Sequence, residues 1–172
     1  MKIRFAQVSD LPDIRKVFSA WYVDEHGNPS EKDINYFCEL IKNSIENKVN
    51  AVRYDEKYIV AEDNEIIVGI LGFKKPIAKI RSFSKLDTPV SLEALFILPE
   101  YKNKGIGKLL IVEMEKIVKV HGYNEILVRS ANRFQDSWGF YDKLNFERAG
   151  NIKSDSGENI AQVWRKDITD TH

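Results

Sequence analysis

Leu92-Glu93-Ala94-Leu95-Phe96-Ile97-Leu98-Pro99-Glu100-Tyr101-Lys102-Asn103-Lys104-Gly105-Ile106-Gly107-Lys108 reads as an almost wholly apolar strand stopped by a proline, then a basic loop with two glycines, then the start of a helix. The first N–H groups of a helix have no internal partner, and the helix dipole places partial positive charge beside them. An anion suits that corner, and a phosphate-bearing cofactor is the natural reading. Gly105 and Gly107 let a pyrophosphate approach the backbone, while Lys102, Lys104 and Lys108 add mobile positive charge. A loop that needs glycine only for its turn and lysine only for solubility explains the same glycine pair, so the pair alone does not decide. Two nucleotide sites are excluded by spacing. The loop lacks the G-x-x-x-x-G-K-[ST] run of a P-loop and the three glycines of a dinucleotide fingerprint.

The chain on either side fits this reading. Ile106, Leu110, Met114 and Ile117 recur at intervals of four, four and three residues, which predicts an amphipathic helix that ends at His121-Gly122. A strand over Glu125 to Ser130 follows, and then Asn132-Arg133-Phe134-Gln135-Asp136-Ser137-Trp138-Gly139-Phe140-Tyr141-Asp142-Lys143-Leu144-Asn145-Phe146-Glu147, with an asparagine, Asn145, near its end. Asparagine tolerates left-handed backbone better than most residues.

These two segments resemble the motifs of the GNAT superfamily of N-acetyltransferases. Lys102-Asn103-Lys104-Gly105-Ile106-Gly107 fits the family's cofactor frame of arginine or glutamine, two residues, glycine, one residue, then glycine or alanine, with lysine in the first place. That exchange keeps the charge and loses a planar fork. Phe140 to Phe146 resembles the family's F-Y-x-K-x-G-F, which ends its fourth helix, with Asn145 where glycine is commonest. The resemblance implies an α+β fold: a central, mostly antiparallel mixed sheet with splayed middle strands, flanked by helices, as a single acyl-CoA N-acyltransferase domain over residues 1–172. It also implies acetyl-CoA as co-substrate.

The site roles follow from the resemblance together with the chemistry of acetyl transfer. Tyr141 stands where the family commonly keeps its general acid, and a phenol still carries its proton at neutral pH. Aromatic packing beside Phe140 is the plainer alternative. Glu93 is the only charged residue in the strand Leu92 to Leu98, and many family members carry an acid at this position. A carboxylate in a central strand is costly unless it is paired or reaches a water-filled cleft. General base and strand-start ion pair both remain open for it. Backbone groups of Leu95, Phe96 and Ile97 would bind the pantetheine arm like an added strand, Lys102 to Lys108 would bind the diphosphate, and Asn132 would touch the arm from the next strand. In this fold the first two helices wall the acceptor cleft, so Trp21, Tyr22, Asp24, Glu25 and Tyr36 would meet a cationic amine; ordinary packing or solvation is the plainer account of each taken singly.

Composition narrows the remainder. With 172 residues, 43% of them apolar, and no linker-like stretch, the chain can bury one substantial core. Twenty-six basic residues balance twenty-six acidic ones, which points away from nucleic acid and acidic membranes. The single cysteine, Cys38, cannot close an internal disulfide, and its place on an apolar helix face reads as core. No run is apolar enough to span a membrane, so the expectation is a cytoplasmic protein; the histidines have no spaced partners, so no metal is expected.

Ahead of the motifs the pattern predicts a strand over Lys2 to Gln7 and a helix opening at Ser9-Asp10-Leu11-Pro12. After a turn at His26 to Pro29, a second helix opens at Ser30, with Ile34, Phe37, Cys38, Ile41 and Ile45 inside. A hairpin turns at Asp63-Asn64-Glu65, and Lys75 to Pro89 would extend its second strand and then loop over the site. A last strand over Ile160 to Lys166 precedes an end expected to fray from Asp167. The reading is therefore an enzyme that acetylates a primary amine of a small molecule by direct attack in a ternary complex, and the resemblance allows a homodimer. A non-catalytic coenzyme A sensor, or an acetyltransferase of a protein or peptide amine, stands as the alternative.

Overall fold

The computed structural model describes residues 1–47 and 56–169. They form strands β1 (Lys2–Phe5), β2 (Lys57–Asp63), β3 (Ile66–Lys74), β4 (Pro89–Ile97), β5 (Glu125–Ala131), β6 (Glu147–Lys153) and β7 (Asn159–Asp167). The helices are α1 (Leu11–Trp21), α2 (Glu31–Ile45), α3 (Ala78–Arg81), α4 (Ile106–Val120) and α5 (Trp138–Lys143). The expected mixed, mostly antiparallel sheet with flanking helices is present. Its residues cluster into two compact units, Met1–Phe73 with Ala94–Met114, and Lys74–Glu93 with Glu115–His172.

In the first unit hydrogen-bonded neighbours follow the order β1-β2-β3-β4. The β2–β3 hairpin closes through Asn64 (φ 49°) and Glu65 (φ 66°), the pair of left-handed residues that a tight hairpin turn requires. Its register slips between Ala61 and Glu62, skipping Val68, whose carbonyl accepts the Leu98 N–H at 2.8 Å. That bond anchors the end of β4 where the basic loop begins. Ile14, Val17 and Phe18 of α1 and Ile34 and Ile41 of α2 pack on Tyr58, Val60, Ile67 and Ile70. Each such side chain contributes roughly 1.5–3 kcal/mol by leaving water. Phe37 and Cys38, expected inside α2, are only half-buried, because the buried face of α2 turns toward Leu40 and Ser44. Burial still pushes the Cys38 thiol up against the opposing influence of Arg15, so it stays protonated.

The start of α1 is set by an ion pair. Asp10 opposes Arg4 with two hydrogen bonds of 2.8 Å and accepts the Gln7 N–H at 2.8 Å, and Arg4 also reaches Glu62 at 3.2 Å. Pro12 lies in the first turn, where its missing N–H costs nothing.

In the second unit the order is β4-β5-β7-β6. Pro89–Leu92 pairs in parallel with Glu125–Val128, and β7 pairs antiparallel with both β5 and β6. Ile80, Leu127, Ile152, Ala161 and Val163 form its core. Three expectations are corrected. Lys75 to Pro89 does not prolong β3: Pro76 lacks the N–H a ladder needs, and the chain takes the short α3 instead. The buried stripe of α4 runs through Ile111 and Val118 as well as Ile106, Leu110 and Met114, which leaves Ile117 half-buried, because a helical stripe drifts with the 3.6-residue turn. The chain does not fray at Asp167, since Ile168 is buried and its N–H donates to the Asn124 carbonyl at 3.0 Å; residues 170–172 lie outside the described residues.

Burial raises the Asp10 carboxyl, but the Arg4 and Gln7 hydrogen bonds and the Arg4 charge outweigh it and hold its pKa below the usual range. A depressed folded pKa stabilises above the unfolded value and is lost as pH falls through the folded one. Asp10→Asn should therefore cost about 2 kcal/mol at neutral pH. The difference from the native chain should shrink below about pH 4, as read by urea unfolding at both pH values.

Candidate active site

The loop from β4 to α4 is built so that the amides opening the helix stay free. Pro99–Tyr101 makes one tight turn, closed by the Tyr101 N–H on the Leu98 carbonyl at 2.9 Å and the Lys102 N–H on the Pro99 carbonyl at 3.2 Å. Asn103 (φ 62°) and Gly105 (φ 81°) then take left-handed backbone, and the Leu109 N–H returns to the Gly105 carbonyl at 3.1 Å to start α4. A Cβ on Gly105 would meet nothing within 4 Å, so glycine is required there for its φ and not for space. Among the described residues no group accepts a hydrogen bond from the amides of Gly105, Ile106, Gly107 or Lys108. No carboxylate among them pairs with the exposed Lys102, Lys104 or Lys108. Lys104 lies over the Tyr101 ring at 5.1 Å, and Lys102 over Trp21 at 4.9 Å. Unpaired amides, a helix dipole and uncompensated cations converge on one corner, which suits a diphosphate.

Just before this corner the strand loosens. Pro89 to Leu92 are buried, while Glu93 to Ile97 are half-buried, so the central strand is not buried along its full length as its apolar sequence implies. Phe96 enters a cluster of rings, 5.6 Å from Phe18, 5.4 Å from Tyr22 and 6.4 Å from Trp21. The Trp21 Nε1–H donates to the Ile97 carbonyl at 2.7 Å, tying the end of α1 to the strand expected to carry the pantetheine. Close packing at Gly69 helps set this strand: a Cβ there would stand 2.7 Å from Ile97 Cδ1.

Of the residues expected to wall the acceptor cleft, Trp21 and Tyr22 thus meet β4. Tyr22 also stacks on Phe37 at 4.6 Å, with the half-exposed Tyr36 edge-on to Phe37 at 5.4 Å. Asp24 folds back on its own turn, accepting the His26 and Asn28 N–H groups at 2.8 and 2.9 Å. Glu25 faces solvent, 3.5 Å from His26 Nε2.

Glu93, Asn132 and Tyr141 belong to the second unit. Asn132 opens a tight turn over Asn132–Ser137, and its amide donates to the Asn159 carbonyl at 2.6 Å. The expected long helix is therefore shorter: α5 has six residues and stops at Asn145, whose φ of 66° supplies the left-handed backbone expected there. Tyr141 is 7% exposed, packed against Phe140, Phe146 and Trp164. Its hydroxyl makes no hydrogen bond among the described residues, and burial pushes the phenol well above its ordinary pKa. Around it stand Asp142, Arg148, Trp138 and Trp164, none of which sequence reasoning singled out. They come from β6, β7 and α5, and no spacing along the chain announces such a cluster. Among the described residues no group of His, Cys, Asp and Glu is placed to hold a metal, and no helix is long and apolar enough to cross a membrane.

Residues 11–146 match the acetyltransferase (GNAT) family. The chain belongs to that family. It is 28% identical over 111 residues to an uncharacterized N-acetyltransferase of Chlorobaculum tepidum, an overlap of 63% of this chain and 59% of that protein. The fold is shared with the PaiA N-acetyltransferase of Thermoplasma acidophilum solved with coenzyme A, at a TM-score of 0.66 and 22% identity over 97% of this chain and 99% of that one. An aminoglycoside 6'-N-acetyltransferase complexed with coenzyme A gives 0.72 and 14% identity over 100% and 99%.

Trp21→Phe keeps the ring and removes the donor to Ile97. It should lower unfolding stability by about 1 kcal/mol, as measured by denaturant titration, whereas Glu25→Gln should leave stability unchanged.

Proposed function

We propose that this GNAT protein is an acetyl-CoA-dependent N-acetyltransferase whose acceptor is the primary amine of a small molecule. The carrying observation is the set of unpaired amides at Gly105 to Lys108, flanked by lysines that no described carboxylate neutralises. The coenzyme A complexes of relatives with the same fold support the same ligand.

In this reading the α4 amides and Lys102, Lys104 and Lys108 hold the diphosphate, and the backbone of Leu95 to Ile97 orients the pantetheine. The amine nitrogen attacks the thioester carbonyl, a C–N bond forms and the C–S bond breaks. Glu93 takes the amine's proton, and Tyr141 donates its hydroxyl proton to the departing thiolate, regaining one from solvent afterwards. Burial keeps Tyr141 protonated. Trp21, Tyr22 and Tyr36 offer ring faces to a cationic amine. A cytoplasmic location and a homodimer remain part of the proposal.

The test is a mass-spectrometric screen of amines, antibiotics and peptides with acetyl-CoA, coupled to free-thiol release. Acetylation of small amines is the expected result. Saturable acetyl-CoA binding with no acetylated product would instead make the protein a coenzyme A sensor, and product only from peptides would move the acceptor to protein amines. Tyr141→Phe should lower kcat roughly 10²-fold, the low end of general-acid effects, and leave acetyl-CoA affinity unchanged; full turnover in that variant removes Tyr141 from the mechanism. Since its pKa is raised, activity of the native enzyme should show no alkaline limb from Tyr141 at or below about pH 10, as read from a kcat–pH profile.

A further inference from the structure

We propose that Asp142, clamped by Arg148 and Trp164, is a positioning residue that fixes the hydroxyl of Tyr141; the inference rests on the acid role proposed for Tyr141. Tyr141 lies in α5, a helix of six residues. So short a helix has little stability of its own, and its orientation must come from tertiary anchors. Two are present. At its first residue, the Trp138 Nε1–H donates to Ser130 Oγ of β5 at 3.1 Å. At the residue after Tyr141, the Asp142 carboxylate takes a forked pair of bonds from Arg148 of β6, Nε to Oδ1 at 3.1 Å and a terminal nitrogen to Oδ2 at 3.0 Å.

The second anchor reaches the tyrosine ring itself. Trp164 of β7 is fully buried, and its indole N–H donates to Asp142 Oδ1 at 3.0 Å. The Trp164 ring stands 5.0 Å from that of Tyr141. The Arg148 guanidinium also lies over the rings of Trp138 at 5.8 Å and Trp164 at 5.7 Å. One carboxylate therefore joins the backbone beside Tyr141 to the aromatic surface against which Tyr141 rests. Arg148's hydrogen bonds, then that of Trp164, hold Asp142 ionised below the usual carboxylate range, so the clamp is set at neutral pH. Arg148 and Asp142 are 49% and 40% exposed in their side chains. Exposed pairs add little to global stability, so their effect on the tyrosine is separable from folding.

The readout is the thiol pKa of bound coenzyme A, taken from thiolate absorbance with a dethio analogue as blank and accompanied by a thermal melt. A donor on the sulfur favours the thiolate, so Tyr141→Phe should raise that pKa by about one pH unit. Asp142→Asn and Arg148→Lys should raise it nearly as far, with unchanged coenzyme A affinity and melting temperature, and neither should raise it further in the Tyr141→Phe background. Trp164→Phe, which keeps a ring and loses the donor, should also raise it, with a lower melting temperature because the indole is fully buried; Arg148→Lys, at the exposed partner, serves where Asp142→Asn fails to fold. An unchanged thiol in Asp142→Asn beside a shifted one in Tyr141→Phe overturns the positioning role and leaves the acid. An equal further rise in the Tyr141→Phe background also overturns it. An unshifted thiol in Tyr141→Phe itself sinks the acid role and this inference with it, while absent coenzyme A binding sinks the proposed function.

Discussion

A polypeptide that turns from a strand into a helix normally covers the helix's first amides with a capping side chain or water, and here the turn is made by backbone alone. Asn103 and Gly105 supply left-handed φ values, Gly105 offers a carbonyl to Leu109, and the amides of Gly105 to Lys108 have no acceptor among the described residues. The remaining parts of the β4–α4 corner depend on this constraint. Val68 holds Leu98 at the exit of β4, Trp21 holds the Ile97 carbonyl, and Gly69 leaves room for the Ile97 side chain. Each fixes the strand that delivers the chain into the turn. A shift of that strand would move the amides and the lysines together.

The acid role proposed for Tyr141 sets a different requirement in the second unit. A phenol that is to donate to a leaving group must be dry enough to keep its proton and must leave its hydroxyl unspent. Tyr141 meets both conditions: its ring is packed by Phe140, Phe146 and Trp164, while no described residue takes its hydroxyl. Beside it, Arg148 and Trp164 both donate charge-assisted hydrogen bonds to the Asp142 carboxylate.

Family membership and acceptor identity rest on different evidence. Sites grafted on one fold serve many substrates, and the relatives compared above share this fold at 14% and 22% identity, one of them named for aminoglycosides. Trp21 and Tyr22 pack their rings against Phe96, and Asp24 accepts the amides of its own turn.

Local pattern is enough for the left-handed turn at Gly105, the hairpin at Asn64-Glu65 and the helix stop at Asn145. Each is encoded within a few neighbouring residues, where backbone sterics and hydrophobic period act directly. The run after β3 departs from its apolar pattern because Pro76 cannot donate to a ladder, and the end of β7 is held because Ile168 is buried and bonded to distant Asn124. Only tertiary structure joined Trp21 to Ile97 and set Asp142, Arg148 and Trp164 around Tyr141, since these partners lie on separate elements and meet by sheet register rather than by spacing along the chain. A linear pattern records which face a residue prefers; which residue it meets there is decided by how strands pair and helices pack, and that is where the chemistry of this protein is assembled.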